Sequence, residues 1–119
     1  MTPLSFSGLD ALATAVVLLD MDQVVRYVNP AAENLLAISA KNIVGTPLER
    51  VIAEPELMIA AVNYASQNNC SYTQHELPLA VTGHSRLEVS CTVTPMEIAE
   101  LPGFLIELSP LQQQLRIAR

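Results

Sequence analysis

The sequence predicts an α+β domain in which one five-stranded antiparallel sheet packs one face against short helices. Two short apolar segments come first, a helical region interrupted by proline and glycine follows, and three segments of alternating polarity close the chain. At 119 residues the chain fits one compact domain. We therefore expect a single domain over residues 1–110, followed at residues 111–119 by the beginning of a linker helix to an output domain.

The first part of the chain predicts a short helix and a hairpin. Three apolar residues at helical spacing predict a helix over about residues 7–14 that leads into the first strand. They are Leu9, Leu12 and Val16. Residues 16–19 form an apolar run, and a polar turn at 20–23 separates them from a second run at 24–28. We predict two strands of about five residues each.

The step from the second strand into a helix is the sharpest local signal. Asn29 is a strong N-cap because its side-chain oxygen accepts a hydrogen bond from a backbone N–H of the first turn. Pro30 suits the first helical position, where its missing N–H costs nothing. Glu33 lies one turn further, where a carboxylate opposes the positive end of the helix dipole. We predict a capped helix of about ten residues.

Short helices and then three strands are predicted for the rest of the chain. Gly45 and Pro47 interrupt the helical spacing, Pro55 restarts it, and the polar residues 67–69 end it. From residue 71 the period becomes two, which is typical of strands with one buried face. We place turns at Gly83 and at residues 101–103. The apolar positions of the last two strands are Leu87, Val89, Cys91, Val93, Phe104, Ile106 and Leu108.

Composition excludes several classes of function. The net charge is −6 with six basic residues that never cluster, whereas nucleic-acid binding depends on lysine and arginine at the phosphates. No apolar run approaches the roughly 20 residues of a membrane span, and no basic start suggests a signal peptide. Cys70 and Cys91 are expected to be reduced thiols in a cytoplasmic protein.

These pieces, in this order, resemble the PAS family. Residues 27–32 (Tyr-Val-Asn-Pro-Ala-Ala) look like the signature that ends the second PAS strand and caps the next helix, and residues 44–48 look like the turn after that helix. The structural positions of the resemblance are Asn29, Pro30 and Gly45, and it covers roughly residues 8–109. The pattern is most similar to the N-terminal sensor domain of nitrogen-regulation histidine kinases of the NtrB type.

The resemblance implies a PAS fold and a regulatory domain, and from the residues themselves we expect no catalytic group, metal or cofactor. The parent protein would be a two-component sensor histidine kinase that works with a response regulator and a PII-type signal protein. We expect a homodimer formed through the N-terminal helix and the exposed sheet face, with the linker helix carrying the signal. The candidate dimer or signal-transmission residues are Leu9, Leu12, Val16, Leu111 and Leu115.

A metabolite receptor is the competing function. A small molecule between sheet and helices would need a cavity, which soft side chains such as Met21, Met58 and Met96 could line. A small enzyme on the same scaffold is a third reading, but no pairing of a nucleophile with a base is visible.

Two further motifs favour structure over chemistry. His75-Glu76 is similar to the start of a kinase phosphoacceptor motif, but the period of two around it predicts a strand. Cys70, His75, His84 and Cys91 lack the short paired spacing of compact zinc sites.

Overall fold

The computed structural model describes residues 7–80 and 86–111. Within them one five-stranded antiparallel sheet is present, as the sequence predicted, and its strand order is β2-β1-β5-β4-β3. The strands are β1 (Ala15–Asp20), β2 (Val25–Val28), β3 (Tyr72–Leu79), β4 (Leu87–Ile98) and β5 (Leu101–Pro110). The helices are α1 (Ser7–Asp10), α2 (Pro30–Leu36), α3 (Ala40–Ile43), α4 (Leu48–Val51) and α5 (Glu56–Asn68). The turn predicted at Gly83 and the linker after Leu111 lie outside the described residues.

The N-terminal helix is shorter than the predicted 7–14. α1 ends at Asp10, and the Leu12 N–H then bonds the Leu9 carbonyl in a turn at 3.2 Å. Val16 lies in β1 and not on the helix, because strand pairing already begins at Ala15, which pairs with Leu108. The prediction that Val16 belongs to the helical face was therefore wrong.

The predicted cap of α2 is present, but the helix has 7 residues and not ten. Ala37 ends it by adopting the left-handed conformation (φ 55°, ψ 46°). An alanine gives no sequence signal for that conformation, which is usual for glycine or asparagine. The interruption predicted at Gly45 is present with φ +91°, a conformation that glycine tolerates best. Pro55 lies directly before α5, and Asn69 ends that helix in the left-handed region.

The inner face of the sheet and the helices share one apolar core. Along the central strands every second side chain points to the helices, as alternation in a strand requires. α5 contributes one face of its 13 residues to this core. The core side chains of β1, β5 and α5 include Val17, Leu19, Phe104, Ile106, Met58, Ala61, Val62 and Ala65, all buried.

The turn between β4 and β5 lies two residues before its predicted place. Ala99 and Glu100 form it, both with positive φ (56° and 66°). Pro102 and Gly103 are already in β5, where they pair with Glu97 and Met96. The sequence prediction of a turn at 101–103 was wrong because Pro-Gly is a common turn dipeptide, whereas here it lies within a ladder.

Both outer edges of the sheet are protected from further pairing. Along β2, Val25 donates to the Thr46 carbonyl at 3.0 Å, and the Gly45 N–H bonds the Val25 carbonyl at 2.7 Å. Along β3, Pro78 removes one donor, and an irregularity between Gln74 and Leu77 shifts the register. Such features discourage the addition of a foreign strand.

Candidate functional site

Asn29 connects three parts of the domain through one buried side chain. Its oxygen accepts the N–H groups of Ala32 and Val16, each at 2.9 Å. Its nitrogen donates to the carbonyls of Leu9 at 3.0 Å and Thr14 at 2.8 Å. The side chain is 0% exposed, and an amide offers two donors beside its acceptor oxygen. Asn29 therefore fixes the segment before β1 against the start of α2.

α1 lies against the outer face of the sheet, opposite the core. The Tyr27 hydroxyl, on the face of β2 that points away from the helices, donates to the Asp10 carboxylate. Burial, the bond to Asp10, and the negative charges of Asp10 and Glu33 together raise the pKa of Tyr27 well above its ordinary value. The hydroxyl thus stays protonated and remains a donor to Asp10.

The chain enters the sheet and leaves it at neighbouring positions. Ala15 at the start of β1 pairs with Leu108 near the end of β5. A groove of about 330 Å³ lies here, lined among others by Ala13, Leu35 and Pro110. The segment before β1 therefore lies next to Leu111, where the chain leaves the sheet, and a movement of that segment would be felt there.

Side chains leave little room in the part of the core between the central strands and helices α4 and α5. The void lined by Val17, Val25, Met58 and Ile106, among others, measures about 10 Å³. A single water needs roughly 10–15 Å³ measured in this way. A metabolite in this part of the core would have to displace packed side chains.

The thiols and histidines gather into no reactive or metal-binding group in the described part of the chain. Cys91 is buried in the core 3.5 Å from the Met58 sulfur, and burial raises the pKa of its thiol to about 12. Cys70 is exposed, and His75 lies exposed on β3. Residues 7–80 and 86–111 hold no cluster of three His, Cys, Asp or Glu suited to a metal; His84 lies outside these ranges.

The outer face of the sheet has a polar part and an apolar end. On β3 and β4, hydroxyl pairs join Thr73 to Thr92 at 2.9 Å and Ser71 to Thr94 at 3.1 Å. Near the β4–β5 turn, Leu101 is 66% exposed, and Met96 and Met21 are also exposed.

None of the helices in the described residues is long and apolar enough to cross a membrane.

The candidate signalling residues do not form one surface. Leu9 is half-buried and Leu12 is 45% exposed, so the segment before β1 has an accessible apolar side chain. Val16 is 1% exposed and is unavailable for contact in this arrangement. Leu111 is half-buried at the exit of the sheet. Leu115 lies outside the described residues.

Sequence reasoning missed the bonds that hold α1. The Asn29 amide nitrogen contacts carbonyls 15 and 20 positions away, and backbone carbonyls leave no trace in residue type. The Asp10 carboxylate and Tyr27 hydroxyl were a detectable pair only once β2 and α1 were known to be neighbours. Asp20, whose carboxylate organises the β1–β2 turn, had a usable signal, since aspartate commonly bonds backbone N–H groups two residues on.

Comparison with known proteins identifies the fold family. The sequence matches the PAS fold family over residues 6–108, which includes the capped helix, the first four strands and most of the fifth. The chain belongs to the PAS family. The PAS domain of nitrogen regulation protein NR(II) from Vibrio parahaemolyticus is similar in structure, with a TM-score of 0.76 and 29% identity over 92% of this chain and 99% of that one.

Curated relatives of this PAS domain are sensor kinases. It is 32% identical to the sensory histidine kinase/phosphatase NtrB of Vibrio alginolyticus over 99% of its own length and 33% of the relative. It is 30% identical to NtrB of Klebsiella oxytoca over 93% of its length and 31% of the relative. The chain thus spans about a third of the curated relatives that it matches.

Proposed function

We propose that this PAS domain is the regulatory input domain of a two-component sensor histidine kinase of nitrogen-regulation type. The observation that carries the proposal is the similarity to the NR(II) PAS domain, which extends over nearly the whole of both chains. The domain itself catalyses nothing. Its role is to bias a kinase module that follows it in the parent protein.

The proposed mechanism is mechanical. Two copies associate through the segment before β1, where Leu12 is exposed, and through the outer sheet face. Because Ala15 and Leu108 are paired neighbours, a change in packing at that segment reaches the exit at Leu111 directly. A helix that begins there would shift and favour one of two states of the output module.

The partners follow from the same proposal. The parent kinase would transfer phosphate to a response regulator, and a PII-type signal protein would set its balance of kinase and phosphatase activity. We place the domain in the cytoplasm, where its two free cysteines would remain reduced. The small void of about 10 Å³ beside Val17 and Met58 supports a domain that senses through protein contacts over one that holds a metabolite there.

A chimera tests the proposal. Residues 1–119 replace the matching third of Vibrio alginolyticus NtrB, and autophosphorylation and phosphatase activity of the chimera are measured. We expect both activities to be retained, with their ratio changed by Leu12→Asp. Leu57→Asp on α5 is the matched control, because Leu57 is 49% exposed against 45% for Leu12.

The outcomes separate the alternatives. Equal effects of Leu12→Asp and Leu57→Asp would remove the segment before β1 from the mechanism. A chimera inactive in both reactions, although folded and dimeric, would count against an NtrB-type input domain. Activity that appears only after addition of a cell extract's small-molecule fraction would favour the metabolite receptor.

A further inference from the structure

The Asn29 amide serves two different parts of the molecule with its two ends. The oxygen bonds Val16 N and Ala32 N, which belong to β1 and α2 in the body of the fold. The nitrogen bonds only the carbonyls of Leu9 and Thr14, which belong to the segment before β1. The amide cannot rotate toward new partners for its nitrogen without withdrawing its oxygen from the cap of α2.

α1 depends on such external contacts. Among the described residues it spans 4 positions, far fewer than an isolated helix needs in water. Its polar attachments to the sheet include the bond from Asn29 to Leu9 and the bond from Tyr27 to Asp10. Detachment of α1 would leave the Asn29 donor that bonds the Leu9 carbonyl unpaired, and detachment of the whole segment up to Thr14 would leave both donors unpaired. Unpaired buried donors are unfavourable.

From this geometry we infer that residues 8–14 form a detachable latch and that Asn29 couples its position to the N-terminus of α2. When the latch is attached, the amide is fully paired and α2 is capped. When the latch detaches, the amide must either stay unpaired or turn, and turning uncaps α2. Coupling of this kind is reciprocal, so a disturbance at either end is felt at the other. This inference concerns the domain alone and holds whatever module the domain regulates.

Spin labelling of the full chain reports the latch. A nitroxide is attached to Leu12→Cys in a Cys70→Ser background; Cys91 stays unlabelled because it is buried and its thiol pKa is raised to about 12. Asn29→Asp keeps an oxygen for the α2 cap but presents an acceptor to the Leu9 and Thr14 carbonyls. We expect the ratio of mobile to immobilised label to rise about tenfold, as the loss of two hydrogen bonds implies.

Asn34→Asp is the matched control for the label experiment. Asn34 is exposed on the same helix, so the variant adds the same charge without touching the latch, and its spectrum should match that of the parent chain. A folded Asn29→Asp variant with an unchanged spectrum would overturn the inference. Circular dichroism establishes that each variant is folded.

A second variant tests the coupling from the other end and does not alter the cap. Asp10→Ala removes the carboxylate that the Tyr27 hydroxyl bonds, and Asp22→Ala in the exposed β1–β2 turn is its control. Hydrogen exchange of the Ala32 amide, which bonds the Asn29 oxygen, should accelerate about threefold in Asp10→Ala, the effect of weakening one attachment. An unchanged exchange rate of the Ala32 amide in Asp10→Ala would disprove the coupling. This test remains valid even when the Asn29→Asp variant fails to fold.

Discussion

Gly103 shows how a single missing side chain permits the sheet to close. A Cβ at this position would lie 2.4 Å from the Leu19 carbonyl oxygen and 2.8 Å from Cδ1 of Ile98. The first of these neighbours is backbone in the adjacent strand β1, so it cannot move aside independently. A glycine is therefore required at this position because a side chain would not fit.

Replacement of this glycine should destabilise the domain. We expect Gly103→Ala to lower the free energy of unfolding by about 1–3 kcal/mol, the usual effect of overpacking, measured by urea denaturation. Gly8→Ala is the control, since a Cβ there meets nothing within 4 Å. Equal stability of the Gly103→Ala variant and the parent chain would show that β1 and β5 are less closely packed than described.

Asp20 gives the domain a dependence on acid. Burial raises the pKa of this carboxyl, but bonds from the Val24 and Asp22 N–H groups and from Arg26, with the charge of Arg26, outweigh burial and hold the pKa below its ordinary value. A carboxyl whose pKa is lower in the folded than in the unfolded chain stabilises the fold at pH values above its unfolded pKa of about 3.9. That contribution is lost as the pH falls through the folded value.

Asp20→Asn should therefore separate from the parent chain only at higher pH. At pH 7 we expect the variant to have a free energy of unfolding about 1 kcal/mol lower than that of the parent chain. Below pH 4 this difference between the two should shrink toward zero. Chemical denaturation at a series of pH values measures it, with Asp22→Asn as the control for an exposed aspartate in the same turn. A difference that stays constant down to the lowest pH would contradict the stated pKa direction.

At the scale of residues, the sequence predicted the cap but not its network. Asn29 followed by Pro30 was sufficient to predict an N-cap, because the preference is local. The carbonyls of Leu9 and Thr14 were not predictable, since any residue type supplies a carbonyl. The Val16 assignment failed because this apolar residue fits both a helical spacing and the start of a buried strand.

At the scale of elements, the β4–β5 hairpin contains a turn with unfavourable residues. Ala99 and Glu100 both have positive φ between the paired residues Ile98 and Leu101. Two-residue hairpin turns of this kind favour Asn-Gly, because these residues tolerate the left-handed region. Here neither residue carries that preference, so the turn is held by the strands on either side.

Better turn residues should stabilise the hairpin. The double change Ala99→Asn and Glu100→Gly should raise the free energy of unfolding by about 1 kcal/mol, seen as a higher melting temperature. Glu97→Gly, two residues earlier in β4, should instead lower stability, since glycine weakens a strand. A loss of stability in the double variant would mean that Ala99 and Glu100 do not form the described turn.

Most elements were predictable because their periods are regular. The alternation of β4 and the proline before α5 gave their existence and type. The end of α2 at Ala37 and the place of the hairpin turn were not predictable, because positive φ at alanine or glutamate is imposed by neighbouring elements. Residues 101–103 look like a turn in isolation, whereas pairing to Met96 and Glu97 makes them strand.

At the scale of the whole molecule, the proposed relay joins two neighbouring ends of the domain. The segment before β1, the Asn29 cap and the exit at Leu111 lie around the paired strands β1 and β5. The core offers a void of only about 10 Å³ in the part lined by Val17 and Met58, and the proposed signal route therefore uses accessible surfaces. Leu12 and Leu101 are apolar and exposed at separate places on that surface.

Native mass spectrometry of the full purified chain, followed by denaturation, distinguishes a dimeric signalling domain from a metabolite receptor. We expect a dimer with twice the mass of one chain and no small molecule released on denaturation. Leu12→Asp should shift the population toward monomer, whereas Leu57→Asp should leave it unchanged. A strictly monomeric chain at high concentration would contradict dimerisation through the segment before β1, and a small molecule released on unfolding would contradict signalling through protein contacts alone.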